Sequence, residues 1–275
     1  MEKVRRNERM SAMIKILSDA PNHVFTLSYF CELFGAAKST MSEDIDLLRN
    51  VVSDYDLGEL ETLTGASGGV VFRNRVRKEK AREFITELSR TLSDPGRILP
   101  GGFLYYSDIL SDPIITRKMG SILASAYADV NADFVLTMET KGIPVALTTA
   151  EALGIPLVIA RHSSRAYEGS AVNINYVSGS SGTIQTMALS RRAIHNVHRC
   201  LIVDDFLKGG GTAKGMVDLM HEFDVDVRGM AFVMETITPA QKRISGEKAL
   251  MVLEVGPIFD DLPSVHVRPA DWLMN

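Results

Sequence analysis

The chain of 275 residues has only two cysteines, Cys31 and Cys200, which lie far apart in sequence. Neither a disulfide framework nor a Cys-based zinc site is expected from such a pair. No run of 18 apolar residues occurs, so no transmembrane helix is expected. The opening residues, MEKVRRNERM, are charged and lack the apolar core of a secretory signal. These lacks point to the reducing cytoplasm and away from a membrane partner. Charge of one sign is also missing: 30 Lys and Arg stand against 34 Asp and Glu, a net charge of −4. Residues 1–92 carry 14 of each sign, so the imbalance lies entirely in residues 93–275. General attraction to polyanions is thereby excluded, and any nucleic-acid contact has to be local. No Walker loop and no Ser–His–Asp constellation is present. His195 and His198 have the i, i+3 spacing of helical metal ligands but no third ligand nearby, so surface polarity is the reading and no metal site is expected.

What is present is concentrated in LIVDDFLKGGGTAKG, Leu201 to Gly215. Leu201, Ile202 and Val203 read as a short buried strand. Two carboxylates, Asp204 and Asp205, follow it, then a loop of Lys208, Gly209, Gly210, Gly211 and Thr212, then a helix over 213–222. Glycines let backbone N–H groups approach a phosphate closely, and the positive end of the new helix favours the anion. The carboxylates are unsuited to that phosphate and suited to vicinal hydroxyls or a Mg²⁺ beside it. The unit looks built for a ribose 5-phosphate. The acids precede the glycines, which sets the stretch apart from a G-x-G-x-x-G dinucleotide turn. The competing description is a strand, an ordinary glycine turn and a capped helix.

The stretch resembles the phosphoribosyl-pyrophosphate (PRPP) motif of the type I phosphoribosyltransferases. The resemblance implies that Asp204 and Asp205 face the ribose hydroxyls, that Lys208 to Thr212 hold the 5′-phosphate, and that Phe206 belongs to the same site. Upstream, Phe134 to Met138 reads as an apolar strand that ends in the turn Glu139, Thr140, Lys141 and Gly142. In the transferases the corresponding turn binds pyrophosphate, often beside a cis peptide, which implies that role for Thr140, Lys141 and Gly142. A simple helix start is the alternative for this turn taken alone. A helix over 143–153 and strands at 157–160, 201–203 and 230–234 complete an alternation that predicts an α/β domain with a mainly parallel sheet flanked by helices. Residues 161–192 are polar and rich in Ser and Gly. A long loop inside a compact domain is often a lid, in which Arg161 and Arg165 would meet pyrophosphate; a solvated hairpin is the equal alternative. Phe103, Tyr105 and Tyr106 are candidates for stacking on a base, with core packing as the plainer reading.

The N-terminal part is of another kind. Met10, Met13, Ile14 and Leu17 recur at i, i+3, i+4 and i+7, as on one face of a helix. Thr26 or Ser28 caps a second helix carrying Tyr29, Phe30, Leu33 and Phe34, and Gly35 turns the chain into a third, with Met41, Ile45 and Leu48 on one face. The other face of this third helix shows Lys38, Ser39, Thr40, Ser42 and Arg49. Short hydrogen-bonding side chains at a helix N-terminus suit a major-groove reader. Alternating residues at 57–63 and 70–72, around a glycine-rich tip at 65–69, add a hairpin and complete a winged helix-turn-helix. Glu43 and Asp46 on the exposed side count against DNA, so phosphate contact has to come from Arg5, Arg6, Arg9, Lys38 and the basic run Arg73, Arg75, Arg77, Lys78, Lys80 and Arg82. That run by itself is more often a solvated helix face, and a small helical domain for dimerisation or protein contact is the alternative to DNA binding. Two prolines and three glycines make 93–102 an interdomain linker. The expected domains are a winged helix over 1–75, a connecting helix and linker over 76–102, and a phosphoribosyltransferase-like effector domain over 103–275.

Together the two modules resemble the purine operon repressors of Gram-positive bacteria, on KSTMSEDI, RILPGG, TKGIP, INYVSGSSGTIQTM and LIVDDFLKGGGT. The resemblance spans nearly the whole chain. It implies a homodimer that binds double-stranded operator DNA, with PRPP, together with Mg²⁺, as effector, no catalytic cofactor and no enzymatic activity. Guanine nucleotides such as ppGpp are implied competitors, and some relatives activate rather than repress. The alternative is an active purine phosphoribosyltransferase with an accessory N-terminal domain. The chain departs from the transferase pattern in that Lys208 stands where a small residue is common and Gly209 where a hydroxyl residue is common.

Overall fold

The computed structural model describes residues 4–65, 68–100, 103–165, 167, 169–178, 182–259 and 262–275. The chain forms two compact units, residues 1–77 with 151–154, and residues 78–150 with 155–275.

In the first unit, helices α1 (Arg6–Asp19), α2 (Leu27–Phe34) and α3 (Lys38–Asp54) precede the antiparallel strands β1 (Glu59–Leu63) and β2 (Gly69–Arg73). Thr26 begins α2 by accepting a hydrogen bond from the Tyr29 amide, and Gly35 ends it in the left-handed conformation at φ 60°, where a residue without Cβ is unstrained. The apolar spacing does what it predicts. Met13 and Leu17 of α1, Phe30 of α2, and Met41, Ile45, Leu48 and Val52 of α3 bury together with Leu60, Val70 and Phe72 of the hairpin. The arrangement is a winged helix-turn-helix. Ala66 and Ser67 of the expected hairpin tip lie outside the described residues.

One charged pair lies inside this unit. Asp44 of α3 is fully enclosed, and its Oδ2 accepts from Arg9 Nε at 2.8 Å and stands 2.7 Å from Arg9 Nη2. Arg6 Nε is 3.0 Å from the other oxygen, as an ion pair without hydrogen-bond geometry. The pair ties α1 to the helix that the sequence marks as the reader. Arg9 itself is only 5% exposed, which removes it from the set of expected phosphate contacts.

The second unit begins with α4 (Lys78–Leu92), β3 (Ile98–Leu99) and β4 (Phe103–Leu104), then α5 (Ser107–Ser111) and α6 (Pro113–Ala126). It continues through β5 (Phe134–Met138), α7 (Ile143–Leu153), β6 (Leu157–Ala160), the hairpin β7 (Ala171–Val177) and β8 (Ile184–Ser190), β9 (Arg199–Leu207) and α8 (Gly211–His221). It ends with β10 (Asp226–Thr236), β11 (Lys248–Phe259), β12 (Leu262–Pro269) and α9 (Asp271–Met274). Six strands form one sheet in the order β12-β11-β10-β9-β5-β6, with every pair parallel except β11–β12 at one edge. Buried on both faces, β5 reads as the continuous apolar run typical of a parallel sheet.

Two expectations change. The chain passes between the units at 77/78, whereas 93–100 is held within the second unit. The Ser93 hydroxyl donates to Val267 O and accepts from the Val267 amide at 2.9 Å, and Asp94 caps the turn at Gly96. The Pro and Gly residues there make a tight turn; Gly101 and Gly102 lie outside the described residues. Of the two readings of 161–192, a lid-like loop and a solvated hairpin, the stretch contains a hairpin, the seven-residue antiparallel pairing of β7 with β8, with one face in the core and not in solvent. Val172 and Tyr176 alternate with Asn173 and Asn175, and the apolar set joins Met187 and Leu189 in the core. Ala166, Glu168 and 179–181 of this stretch lie outside the described residues.

Replacing Asp44 by Ala leaves Arg9 charged and buried without its partner. Loss of one member of a buried pair typically costs about 3–5 kcal/mol. Urea unfolding is expected to show that loss in the transition of the N-terminal unit and to leave the transition of the second unit in place. Equal stability of Asp44→Ala and the parent would refute the role.

Candidate functional site

β5 and β9 are neighbouring parallel strands, so the turns that follow them open on the same edge of the sheet, where open α/β sheets bind ligands. β9 runs four residues beyond Val203, to Leu207, because β10 continues to pair with it from Asp204↔Phe232 to Leu207↔Glu235. The acids therefore lie within the strand. Asp204 is buried, Asp205 and Phe206 are half-buried, and Lys208 is exposed. A Cβ on Gly142 would fall 2.0 Å from Asp204 Oδ1 and 2.6 Å from Thr137 Oγ1. Only glycine allows this approach, which seats the Thr140–Lys141–Gly142 turn directly on the acid. The peptide between Glu139 and Thr140 is cis.

Tyr106 joins the two turns. Its hydroxyl donates to Asp205 Oδ2 at 2.7 Å, its ring stacks on Phe206 with centroids 6.1 Å apart, and the Lys141 ammonium stands 4.9 Å from its ring centroid. Phe103 and Tyr105, weighed with it as core or base-stacking residues, are both exposed. Gly210, left-handed at φ 76°, turns the chain into α8. Asp204, Phe206 and the Lys208–Ala213 turn line a cavity of about 150 Å³. The Tyr176 hydroxyl of β7 is hydrogen-bonded to the Thr212 side chain and donates to Gln185 Oε1 at 2.8 Å, so the hairpin abuts the start of α8. Arg161 meets the site's edge through Glu139, at 3.3 Å, and its backbone pairs with Ala188 of β8. Arg165 is exposed. The sequence marks Glu139 only as a member of the turn and Tyr176 not at all; the alternation of β7 is the signal for Tyr176.

Burial, and then the charge of Asp205, raise the Asp204 carboxyl well above the ordinary 3.8. Burial and Asp205 likewise push the Tyr106 phenol up. The site thus holds two acids, one of them poorly solvated, between two anion-suited turns. Chemically it suits a sugar whose hydroxyls donate to carboxylates and which carries phosphates on both sides.

Several cations of the expected DNA face are paired within the unit. Lys38, Ser39 and Ser42 are exposed at the start of α3, and Thr40 is half-buried. Arg49 pairs with Asp46 and donates to Leu60 O and Thr62 Oγ1, tying α3 to β1. Arg6 pairs with Glu43 and Asp44; Arg5 lies exposed at the start of α1, its amide bonded to Glu8. Arg73, Arg75 and Arg77 pair with Glu61, Glu59 and Asp56. Acids placed opposite the basic run are what the zero charge balance of this part of the chain predicts.

A winged helix followed by a phosphoribosyltransferase-type domain defines a class of two-module regulators. Residues 5–74 match the family described as bacterial purine repressor, N-terminal, and residues 106–255 the phosphoribosyl transferase domain. The chain is 39% identical over 272 residues to the probable purine biosynthesis transcriptional regulator PurR of Streptococcus pneumoniae serotype 4, covering 94% of this chain and 99% of the relative. It is 39% identical to the purine biosynthesis transcriptional repressor PurR of Bacillus subtilis, over 91% of this chain and 88% of the relative. It is 38% identical to the purine biosynthesis transcriptional activator PurR of Lactococcus lactis subsp. lactis, over 91% and 93%. The chain belongs to the PurR family of purine biosynthesis transcriptional regulators.

A carboxyl whose folded value is raised favours the folded state most below its unfolded value, near 3.8 for Asp204. That contribution is lost as pH rises from there to the raised folded value, and the penalty is constant above it. Asp204→Asn is expected to stabilise the second unit at about pH 8 and to lose that advantage near about pH 4. Denaturant melts at the two pH values check this; an advantage independent of pH would contradict the sign.

Proposed function

We propose that the chain is a DNA-binding transcriptional regulator of purine biosynthesis and salvage genes that senses PRPP without transferring its ribosyl group. The observation that carries the reading is the seating of the Thr140–Gly142 turn on Asp204, which brings both anion-suited turns to one acid pair in a chain that also holds a winged helix. In this reading Asp204 and Asp205 accept from the ribose hydroxyls. Lys208, Gly209, Gly210, Gly211 and Thr212 hold the 5′-phosphate, and Thr140, Lys141 and Gly142, with Arg161 and Arg165, meet the pyrophosphate. Phe206 lies beside the sugar. The carboxylate oxygens are hard donors of the kind Mg²⁺ takes, so the ion that accompanies PRPP fits here. Guanine nucleotides such as ppGpp offer the same ribose and phosphate chemistry and compete for the pocket. The first unit binds operator DNA, the second unit senses, and the regulator acts as a cytoplasmic homodimer.

An active purine phosphoribosyltransferase is the second reading, favoured by the intact acid pair and the family match over 106–255. Catalysis needs interactions realised only in the transition state. Lys208 and Gly209 depart from the transferase pattern where the 5′-phosphate is positioned, which weighs against it. Release of pyrophosphate from PRPP with a purine base would decide for the enzyme.

The central experiment measures binding to purine-gene promoter DNA with and without PRPP, at fixed Mg²⁺ and salt. Coupling between sites is typically about 5–150-fold and is reciprocal, so operator DNA is expected to weaken PRPP binding by the factor with which PRPP weakens DNA binding. Asp204→Ala with Asp205→Ala removes charged hydrogen bonds worth roughly 1.5–3 kcal/mol each. The double variant is expected to lose PRPP affinity by at least about tenfold while still binding DNA. Calorimetry showing unchanged PRPP affinity in the folded double variant would sink the pocket assignment.

A separate outcome concerns the reading helix. Ser39, Thr40 and Ser42 approach base edges in this reading, and Lys38 a phosphate, with Arg5, Arg6 and Arg49 as flanking contacts. Lys38→Ala is expected to weaken binding to operator and random DNA alike and to lower the salt slope by about 1. An unaltered salt slope would place the phosphate contacts elsewhere.

A further inference from the structure

The loop between β10 and β11 returns to the outside of the phosphate-suited turn. Lys242 Nζ donates to Thr236 O at 2.6 Å and to Lys208 O at 3.2 Å, and the Arg243 amide donates to Gly209 O at 3.1 Å. A Cβ on Gly210 would stand 3.2 Å from the Arg243 nitrogen, so the two segments are in close contact. Neither Lys242 nor Arg243 is among the residues lining the cavity formed by Asp204, Phe206 and the Lys208–Ala213 turn. They grip the turn from its other side.

The consequence follows from peptide geometry. In a trans peptide the C=O and the N–H of the next residue point in opposite directions. Both peptides concerned, 208–209 and 209–210, are trans, since the cis bonds lie at 139–140 and 238–239. With the Lys208 and Gly209 carbonyls drawn outward to residues 242 and 243, the N–H groups of Gly209 and Gly210 are turned the other way, to the cavity side. Successive N–H groups aimed into one concavity form an anion nest. The three successive glycines, Gly209 to Gly211, have no side chain to impose that orientation and range widely over φ and ψ. The orientation has to be imposed from outside.

We propose that Lys242 is a positioning residue for the anion nest: it holds the carbonyl of Lys208 outward so that the amides of Gly209 and Gly210 face a phosphate. Its ammonium bridges the end of β10 to the turn, and the Arg243 amide completes the grip. The inference rests on the reading of Lys208–Thr212 as the 5′-phosphate turn. It adds to that reading a residue more than thirty positions downstream which touches no ligand.

Calorimetry on the full chain with ribose 5-phosphate and, separately, with inorganic pyrophosphate tests it. Lys242→Met is expected to weaken ribose 5-phosphate by on the order of tenfold, the scale of one charged hydrogen bond. Pyrophosphate, held at Thr140–Gly142, is expected to change by less than about twofold, well under that scale. Lys242→Arg, which keeps a charged donor, restores most of the loss. Hydrogen exchange of the 209–212 amides is expected to quicken in Lys242→Met alone. Unchanged ribose 5-phosphate affinity in Lys242→Met overturns the proposal and leaves the pocket assignment standing. A parallel fall in both affinities, with no rescue by Lys242→Arg, overturns it in favour of general loosening. Failure of the parent chain to bind ribose 5-phosphate removes the pocket assignment itself, and the inference falls with it.

Discussion

The second unit is organised around a carboxylate held out of water. Asp204 sits at the carboxyl end of the sheet with Gly142 against one oxygen and the charge of Asp205 beside it. Its hydrogen bonds among the described residues are short-range, to Asp205 alone, whose amide donates to Oδ1 at 3.0 Å. Burying a charge so thinly compensated is unfavourable, and a fold selected for stability alone would not keep it. Strain of this sort persists where surrounding packing overrides it. Here the override is visible: β10 still pairs with β9 at Asp204↔Phe232, and Gly142 packs directly against the carboxyl, so Asp204 is held out of solvent. The same register brings Phe206 and the glycine turn to the edge where β5 delivers Thr140 to Gly142.

Tyr106 shows how the pair is kept apart electrostatically. Its hydroxyl satisfies one acceptor of Asp205, and its ring takes the Lys141 ammonium on its face. A ribose hydroxyl that donated to Asp205 would compete with the phenol for that acceptor. Tyr106 is the residue before α5, and Arg97 donates to both Tyr105 O and Asp108 around it. Displacing the phenol therefore bears on a small hydrogen-bonded cluster instead of a free side chain. A ligand shifts a conformational equilibrium only through such differential contacts.

Much of this was legible from residues alone, for reasons specific to each segment. β5, β6 and α7 appear within the expected bounds because each is a short apolar run closed by a turn signal. The acid pair and its turn were legible because chemistry is dense there. β7 and β8 were legible only as the hairpin alternative to a loop, because their Ser, Gly and Asn content masks an alternation that needs a core to become meaningful. β11 and β12 were not, because an apolar run such as ALMVLEV has no period that separates strand from helix. Lys242 was invisible for a stricter reason: its role is set by the return of a loop between two strands, which no local spacing encodes. Asp44 drew no reading from the sequence because its partners, Arg6 and Arg9, lie on another helix.

The DNA half carries a constraint of the opposite kind. Its arginines are numerous, yet most are engaged by acids within the same unit: Arg9 by Asp44, Arg49 by Asp46, and Arg73, Arg75 and Arg77 by Glu61, Glu59 and Asp56. Apart from the buried Arg9–Asp44 pair, these pairs are largely exposed and hold little stability, about 0–1 kcal/mol each. On the proposed reading, each phosphate contact by these arginines must first displace an internal partner, which would lower the affinity for arbitrary DNA. A binder with weak non-specific affinity depends more heavily on correct base contacts at the start of α3. Lys38 stands out in that setting as an exposed cation beside Ser39 and Ser42. On the proposed reading, discrimination between sites would rest on this short helix terminus, and the buried Arg9–Asp44 pair, which ties α1 to α3, bears on its placement.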